Sequence, residues 1–320
     1  MKKPGIVFMG TPDFAVPSLR IIVENQYDIK ALVTQPDRPK GRGGKLGPPP
    51  VKQEALKYGL RILQPVKLSG EFIKVLQSIK PDLIVVVAYG KILPKKILKI
   101  PPLGCINVHA SLLPKYRGAA PIHRAVMNGD RVTGVTTMYM SEGMDTGDII
   151  LSGRTEIKAD DTVGTLHDRL AKIGSQVLLE TIELVVRGEV PRKAQDDQEA
   201  SYAPPLGREE EIIDWEKEAE KIFNQIRGMN PWPGAYTFWK EKRLKIWKSE
   251  VIKEEAGFSP GEIIELNHEG IVVGTGKGIL QLLEVQLSGA KKMSASAFLR
   301  GNKLSVGDFL GGLKSNEDTN

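Results

Sequence analysis

The sequence predicts an α/β fold in two parts, a mostly parallel sheet with helices and then a small β-barrel. The chain opens with an apolar run at residues 6–9, a turn and a helical pattern of apolar positions. Residues 82–88 (DLIVVVA) are a continuous apolar run, which is typical of a strand buried on both faces of a parallel sheet. The last third instead holds five or six short strands between turns, which favours a closed barrel. We therefore expect a Rossmann-like first domain.

Strands and helices alternate through the first domain. The strand at 6–9, the helix after it and a strand at 29–34 form a βαβ unit, so the sheet should be mostly parallel. Further predicted elements are helices at 51–58, 71–79 and 121–128, a long helix ending near Arg187, and strands at 61–63, 82–88, 104–109, 132–140 and 148–155. We place the first domain at residues 1–193.

A polar stretch with Pro204 and Pro205 separates the two domains. We interpret residues 194–211 as a linker and 212–320 as a C-terminal β-barrel domain. The second domain begins with an amphipathic helix at 216–227 and an aromatic turn at 230–234. Its predicted strands are 235–239, 243–248, 261–265, 270–274, 278–285 and a last one near 307–310.

Composition and motifs exclude several classes of protein. Cys105 is the single cysteine, which excludes an internal disulfide, and the four histidines have no ligand spacing, so no metal is expected. The turn after Gly10 lacks a GxGxxG pattern, so neither NAD nor a flavin is predicted. No apolar run approaches the roughly 18 residues that span a bilayer. We expect a cytoplasmic monomer.

Residues 35–50 (QPDRPKGRGGKLGPPP) are so rich in proline and glycine that the sequence predicts a long exposed loop without regular structure. The loop is cationic, and residues 1–205 hold the positive excess of the chain, with 29 Lys and Arg against 21 Asp and Glu. This pattern indicates a polyanionic partner, although an ordinary basic surface explains it nearly as well. The loop residues that we single out are Arg38, Lys40, Gly41, Arg42, Gly43 and Lys45.

Three polar side chains are expected at the carboxyl edge of the sheet. Asn107 and His109 are two residues apart on a strand and should share a face, and Asp145 follows a later strand between glycines. A His paired with Asp has a raised pKa and can stabilise an oxyanion, Asn107 can donate a second hydrogen bond, and Asp145 can orient His109 and assist proton transfer. Cys105 should be a buried structural thiol, so direct acyl transfer between two substrates fits better than a covalent intermediate. A hydrogen-bonded structural histidine is the alternative for His109.

Four motifs of this chain resemble the folate-dependent formyltransferases: Asn107-x-His109, Ser111-Leu112-Leu113-Pro114, Arg117-Gly118 with Pro121, and Asp145-x-Gly147-Asp148. Four more resemble the methionyl-tRNA formyltransferase branch of that family. They are FMGTPDFA at 8–15, GRG at 41–43, NPWPGA at 230–235 and SASAFLxG at 294–301.

The resemblance implies transfer of a formyl group from 10-formyltetrahydrofolate to initiator methionyl-tRNA, with Asn107, His109 and Asp145 as catalytic residues. It also implies an oligonucleotide-binding-type barrel that grips the tRNA, and an Arg42 that enters the acceptor stem. The implied folate contacts are Ser111, Leu112, Leu113 and Pro114, with Ala88, Tyr89, Gly90, Lys91, Ile92 and Leu93 walling the pterin. Candidate phosphate contacts in the barrel are Lys240, Lys242, Arg243, Lys245 and Lys248.

Three alternatives stay open at this point. A glycinamide ribonucleotide formyltransferase would share the trio but would not need residues 206–320. A nucleotide-sugar formyltransferase or a formyltetrahydrofolate hydrolase would not account for the cationic loop. A catalytically silent RNA-binding protein would use only the barrel and the loop, and the intact trio argues against it.

Overall fold

The chain forms two compact units. A computed structural model describes residues 3–40, 45–253 and 257–311. The first unit comprises Met1–Pro121, Val132–Glu156 and His167–Ala203, and the second comprises Ile122–Arg131, Ile157–Leu166 and Pro204–Asn320. Two short segments of the N-terminal half thus cluster with the C-terminal part, whereas the domain bounds 1–193, 194–211 and 212–320 follow the chain order and stay a prediction.

The first unit is built on a seven-stranded sheet of strand order β10-β9-β7-β6-β1-β2-β5. The five strands from β7 to β5 are parallel, and β9 and β10 are antiparallel. The predicted mostly parallel α/β sheet is therefore confirmed. The strands up to residue 203 are β1 (Gly5–Gly10), β2 (Asp28–Val33), β3 (Arg38–Lys40), β4 (Lys45–Gly47), β5 (Ile62–Leu63), β6 (Leu83–Val87), β7 (Cys105–His109), β8 (Arg117–Gly118), β9 (Val132–Tyr139), β10 (Ile149–Glu156) and β11 (Tyr202–Ala203). The helices of the chain up to residue 203 are α1 (Val16–Glu24), α2 (Pro50–Lys57), α3 (Gly70–Ile79), α4 (Lys95–Leu98), α5 (Pro121–Met127) and α6 (Val163–Arg187). All of α5 except Pro121, and the first turn of α6, belong to the second unit.

Strands β1, β6 and β7 bring their carboxyl ends to one edge of the sheet. Gly10 pairs with Val87 and Val87 with Val108, so the loops that leave these strands begin side by side. All five residues of β6 are buried, as its unbroken apolar run predicts. This alignment places His109, the last residue of β7, at the edge where parallel α/β sheets hold their ligands.

The prediction that residues 35–50 have no regular structure is wrong for part of that segment. Strands β3 and β4 form an antiparallel pair, with Pro39 opposite Leu46. A two-stranded ribbon tolerates proline because each strand has a free edge that needs no donor. The base of the ribbon is anchored by Asp37, which accepts hydrogen bonds from Lys52 Nζ at 2.8 Å and Gln64 Nε2 at 2.7 Å. These hydrogen bonds lower the pKa of the Asp37 carboxyl.

The second unit contains a curled antiparallel sheet of strand order β12-β13-β16-β15-β14, with β17 on β16. It confirms the predicted second β domain, but the last predicted strand, near 307–310, is wrong. In its place a single bridge joins Phe309 to Glu262. Gly307 has a left-handed φ of 88°, which interrupts an extended conformation there. The elements are α7 (Ala219–Gly228), β12 (Tyr236–Trp239), β13 (Lys242–Lys253), β14 (Ile263–Leu266), β15 (Ile271–Gly274), β16 (Ile279–Leu287), β17 (Met293–Ser294) and α8 (Ala295–Gly301).

Helix α8 closes the core of the second unit through Phe298. Ser294 caps this helix by accepting a hydrogen bond from the Ala297 amide at 3.2 Å. Phe298 is only 1% exposed and meets the Trp239 ring edge-on at a centroid distance of 5.5 Å. The late SASAF motif is thus explained by capping and core packing.

We expect Phe298→Ala to lower the free energy of unfolding of the second unit by about 3–5 kcal/mol, because it leaves a cavity in a packed core. All four tryptophans lie in this unit, so urea denaturation followed by tryptophan fluorescence reports on it. The matched control is Phe309→Ala, since Phe309 is 58% exposed and should change that free energy by about 0.5 kcal/mol or less. Equal losses for the two variants would contradict the packing role.

Within the described residues, no helix combines the length and the apolar character needed to cross a bilayer.

Candidate active site

The structure brings His109 and Asp145 together at the carboxyl edge of the sheet. His109 Nδ1 lies 3.6 Å from Asp145 Oδ2, and both side chains are largely buried. The two residues are 36 positions apart in the chain, and β7 and the β9–β10 connection carry them to this point. An imidazole and a carboxylate at this distance can exchange or share a proton with only a small movement.

The second ring nitrogen of His109 contacts a backbone carbonyl. Nε2 lies 2.9 Å from the carbonyl oxygen of Tyr116. A carbonyl oxygen can only accept, so Nε2 carries a hydrogen in this arrangement. Both ring nitrogens of His109 therefore face oxygen acceptors, and a proton on Nδ1 would meet the Asp145 carboxylate.

Asp145 stands in a tight turn that directs its carboxylate toward His109 at the carboxyl edge of the sheet. Its φ of 53° is left-handed, a conformation that Asp adopts more readily than most residues. Oδ2 accepts a hydrogen bond of 2.8 Å from the Gly118 amide, the same oxygen that faces His109. The Asp145 carbonyl oxygen accepts from Gln195 Nε2 at 2.8 Å. The side chain and the backbone of Asp145 are thus both held.

Asn107 lies on the same face of β7 as His109, two residues earlier. It is half-buried and pairs with Met138 of β9. Cys105, at the start of the strand, is buried, and burial raises the pKa of its thiol to about 12. A thiol with such a pKa is not a nucleophile near neutral pH, in agreement with a site that works without a covalent enzyme intermediate.

The turn after β7 buries two of its four predicted folate contacts and leaves the other two partly exposed. Ser111 and Leu113 are buried, and Ser111 Oγ donates to the Lys115 carbonyl at 2.6 Å. Thr136 of β9 fixes the turn further, because its hydroxyl donates to the Ser111 carbonyl at 2.7 Å. Leu112 and Pro114 are half-buried. Of the four predicted folate contacts in this turn, these two have side-chain surface free to touch a ligand.

The loop after β6 likewise has both buried and exposed side chains. Tyr89 and Leu93 belong to the hydrophobic core, and burial raises the pKa of the Tyr89 phenol to about 12. Lys91 Nζ donates to the carbonyl oxygens of Pro65 and Val66, at 2.8 and 2.7 Å. Ile92, in contrast, is 80% exposed. The sequence predicted the whole stretch from residue 88 to 93 as a ligand wall, and the exposed side of that stretch is formed by Ala88, Gly90 and Ile92.

The cationic segment carries Arg38 at the base of the β3–β4 ribbon, and Lys40 and Lys45 at the opposite end of its described strands. Arg38 is exposed, and Lys40 pairs with Lys45 through the backbone. Burial lowers the pKa of the Lys91 ammonium, and repulsion from Arg38 lowers it further. The predicted tRNA contacts Gly41, Arg42 and Gly43 lie outside the described residues.

The outer face of β12 and β13 combines basic and aromatic side chains. The Arg243 guanidinium lies 4.1 Å from the centre of the Tyr236 ring, and the Lys245 ammonium 5.3 Å from that of Trp247. Arg243 and Lys245 alternate along β13 with the buried Leu244, so they share a face. The other predicted contacts, Lys240, Lys242 and Lys248, are exposed, with Lys240 in the β12–β13 turn and Lys248 at a register shift of β13.

Sequence reasoning missed two residues that organise this site. Arg117 was noted only as part of a motif, and Gln195 was assigned to a linker. The structure buries Arg117 and directs its Nε to Gln195 Oε1 at 3.0 Å. The Arg117-Gly118 motif was a signal for the first, whereas nothing in the pattern around Gln195 distinguishes it from a linker residue.

Comparison with known proteins identifies the family. Residues 5–182 match the profile of the family described as Formyl transferase, and residues 205–303 match that described as Formyl transferase, C-terminal domain. The chain belongs to the formyl transferase family. The first match covers the sheet and the His109–Asp145 pair, and the second covers most of the curled sheet.

Relatives of this formyl transferase align along nearly its whole length. It is 54% identical over 308 residues to the methionyl-tRNA formyltransferase of Pelotomaculum thermopropionicum, covering 96% of this chain and 98% of that protein. It is 50% identical over 309 residues to the methionyl-tRNA formyltransferase of Bacillus subtilis, covering 96% and 97%.

Solved structures share the fold at lower sequence identity. HypX from Aquifex aeolicus in complex with tetrahydrofolic acid matches with a TM-score of 0.62 and 18% identity, over 96% of this chain and 51% of that chain. This formyl transferase thus spans about half of HypX. An N-formyltransferase from Helicobacter canadensis, in complex with folinic acid and dTDP-3-aminofucose, matches with a TM-score of 0.65 and 21% identity, over 87% and 99%.

Proposed function

We propose that this chain transfers the formyl group of 10-formyltetrahydrofolate to the α-amino group of initiator methionyl-tRNA, which forms N-formylmethionyl-tRNA for translation initiation. The observation that carries the proposal is the contact of His109 with Asp145 at the carboxyl edge of the sheet, on the same strand face as Asn107. Relatives named for this reaction, about half identical along the whole chain, support it. We also propose that the protein is cytoplasmic and monomeric. Light scattering can test the monomeric state.

The chemistry requires the amine nitrogen to attack the formyl carbon while the bond from that carbon to N10 of the folate breaks. Negative charge develops on the formyl oxygen. We assign Asn107 to donate to it directly, and His109 to donate through Nε2, which must first leave the Tyr116 carbonyl. Within the described chain, no hydrogen bond occupies the side-chain amide of Asn107. It is therefore free to donate to substrate. The arrangement supplies two donors from one strand face.

The proton balance assigns Asp145 a second role. The attacking amine loses one proton and N10 gains one, so a group that accepts and returns a proton is needed. Asp145 already accepts from Gly118 and faces His109 through the same oxygen, Oδ2. Among the described residues no donor meets its other oxygen, Oδ1, which can therefore take a substrate or a bridging water. We assign Asp145 to orienting His109 and to this proton transfer.

The apolar side chains on the loops after β6 and β7 suit the formyl donor. Ile92 presents an apolar surface, and Leu112 and Pro114 present part of theirs, on loops that leave neighbouring strands. A flat pterin ring with polar edges would cover these side chains and bond to the loop backbones. The residues present therefore fit a reduced folate, with Ser111, Leu113, Tyr89 and Leu93 acting as buried supports.

Recognition of tRNA is assigned to two basic surfaces. One is the β3–β4 ribbon, with Arg42 at the stretch that the described residues leave out, and the other is the outer face of β12 and β13. Arg243, which lies over the buried Tyr236 ring, and Lys245 can pair with phosphates, and the half-buried Trp247 ring beside Lys245 can contact a sugar or a base.

A single assay tests the function. Purified protein and 10-formyltetrahydrofolate are incubated with Met-tRNA, with glycinamide ribonucleotide, with a nucleotide-linked amino sugar, or with water as the only acceptor. We expect formyl transfer to Met-tRNA alone. Transfer to another acceptor would show that the proposed substrate is wrong. Binding of Met-tRNA with no transfer to any acceptor would show that the protein is not a formyltransferase.

We expect Arg243→Ala to weaken Met-tRNA binding and to reduce the slope of log affinity against log salt by about one, as the loss of one phosphate contact should. The turnover number should not change, since Arg243 lies far along the chain from the trio and in the other unit. Affinity is measured by filter binding at several salt concentrations. Arg300→Ala, on α8, is the control arginine, and an equal slope for both variants would remove Arg243 from the tRNA surface.

A further inference from the structure

Residues 195–203, which the sequence assigned to a linker, lie against the catalytic edge of the first unit. Strand β11 pairs in parallel with β8. Ser201 contacts the chain just before that strand, because its hydroxyl accepts from the Tyr116 amide at 2.9 Å and its carbonyl accepts from the Arg117 amide at 2.8 Å. This segment therefore holds the backbone of β8 and of Tyr116 in place.

Strand β8 and the residue before it hold both members of the catalytic pair. The Tyr116 carbonyl accepts from His109 Nε2, and the Gly118 amide donates to Asp145 Oδ2. The residue between them, Arg117, points the other way and is 2% exposed. Its guanidinium contacts Gln195 Oε1 through Nε and pairs with Asp197 Oδ1 through Nη2 at 2.8 Å.

Gln195 links Arg117 to the turn that carries Asp145. Arg117 is a donor, so it fixes Oε1 of the Gln195 amide toward itself and leaves Nε2 facing the opposite side. On that side Nε2 donates to the carbonyl oxygens of Asp145 and Gly147, each at 2.8 Å. One amide thus ties the turn that carries Asp145 to the strand that holds His109.

We propose that Gln195 is a positioning residue for formyl transfer: it holds the Asp145 turn so that the carboxylate faces His109, with Arg117 orienting its amide. This inference rests on the proposed function. The turn needs such a hold because Asp145 has a left-handed φ and glycines at 143 and 147 flank it. A small displacement of a reacting group costs much of its catalytic contribution.

The decisive variant is Gln195→Glu. It preserves shape and keeps an acceptor for Arg117, but it replaces the donor that faces two carbonyl oxygens by a second acceptor. We expect kcat to fall by about tenfold to a hundredfold, with the KM for Met-tRNA and for the folate within about twofold of the parent values. Gln198→Glu is the matched control, because it makes the same charge change on an exposed side chain three residues away and should keep parent kinetics.

A double-variant cycle separates positioning from general destabilisation. If Gln195 acts through Asp145, then adding Gln195→Glu to Asp145→Asn should cause almost no further loss of kcat. Multiplied losses in the double variant, or a raised KM with unchanged kcat in the single variant, would overturn the proposal. If Gln195→Glu unfolds, Asp197→Asn provides the test, because it weakens only the outer contact of Arg117 and should lower kcat in the same direction.

Hydrogen exchange gives a readout that does not depend on activity. Amides in a peptide covering residues 141–149 should exchange faster in Gln195→Glu than in the parent protein or in Gln198→Glu. Unchanged exchange would overturn the proposed hold even if activity fell. A parent protein without formyl transfer but with this exchange difference would reject the proposed function and leave the hold on the turn in place.

Discussion

Replacing His109 by Ala is expected to lower kcat for formyl transfer by about a hundredfold to ten-thousandfold, with little change in Met-tRNA affinity. The variant removes the donor that we assign to the developing oxyanion and the partner of Asp145, two contributions that matter in the transition state. Steady-state kinetics and filter binding on the same preparation measure both quantities.

The control for this variant is His268→Ala. His268 is 91% exposed and lies 4.0 Å from the Glu269 carboxylate, so its removal should leave kcat and KM unchanged. A large loss of tRNA affinity with unchanged turnover in His109→Ala would mean that His109 binds substrate without assisting the reaction. A loss of thermal stability that matches the loss of activity would favour the structural histidine considered from the sequence.

Replacing Gly147 by Ala is expected to lower kcat at least tenfold and the stability of the first unit by about 1–3 kcal/mol. A Cβ at Gly147 would overlap the backbone carbonyl oxygen of Tyr139, and backbone atoms cannot turn aside as a side-chain end can. The Tyr139 amide donates to the Asp148 carbonyl at 3.0 Å, so relief of the overlap must open this pairing or move the turn. Either change displaces Asp145.

Thermal unfolding and steady-state kinetics are measured together on this variant. Gly70→Ala is the matched control, because no atom lies within 4 Å of the added Cβ and the position begins a helix. It should keep the parent kcat and stability. Parent-like activity in Gly147→Ala would show that the turn tolerates displacement and would count against a tightly positioned Asp145.

The first sheet could be predicted because its strands are encoded locally. An unbroken apolar run is unfavourable in an exposed loop, and also in a strand with one face in water. Residues 82–88 therefore indicated a central strand, and β6 is indeed central and buried. The position of His109 at a carboxyl edge followed from the same pattern. The pairing of β3 with β4 could not be seen, because proline and glycine content marks turns without showing which residues pair across them.

The sequence did not show which of the predicted folate contacts have exposed side chains and which are buried. A contiguous motif such as Ser111-Leu112-Leu113-Pro114 does not show which members point inward, and the turn buries two of them while leaving two half-buried. Burial is decided by what packs against a turn, here Thr136 of a strand that follows later in the chain. The same applies to Tyr89 and Leu93, whose side chains join the core.

The sequence by itself determined the fold class, the two β-containing parts and the three polar residues that the proposed reaction requires, because periodicity and residue chemistry are local properties. Only the tertiary structure decided how His109 and Asp145 are held. Their supports come from β8 and from Gln195, which lie far apart in the chain and approach through sheet pairing and a buried Arg117. Hydrogen bonds between distant segments leave no periodic mark in a sequence, so a stretch that looked like a linker is part of the site.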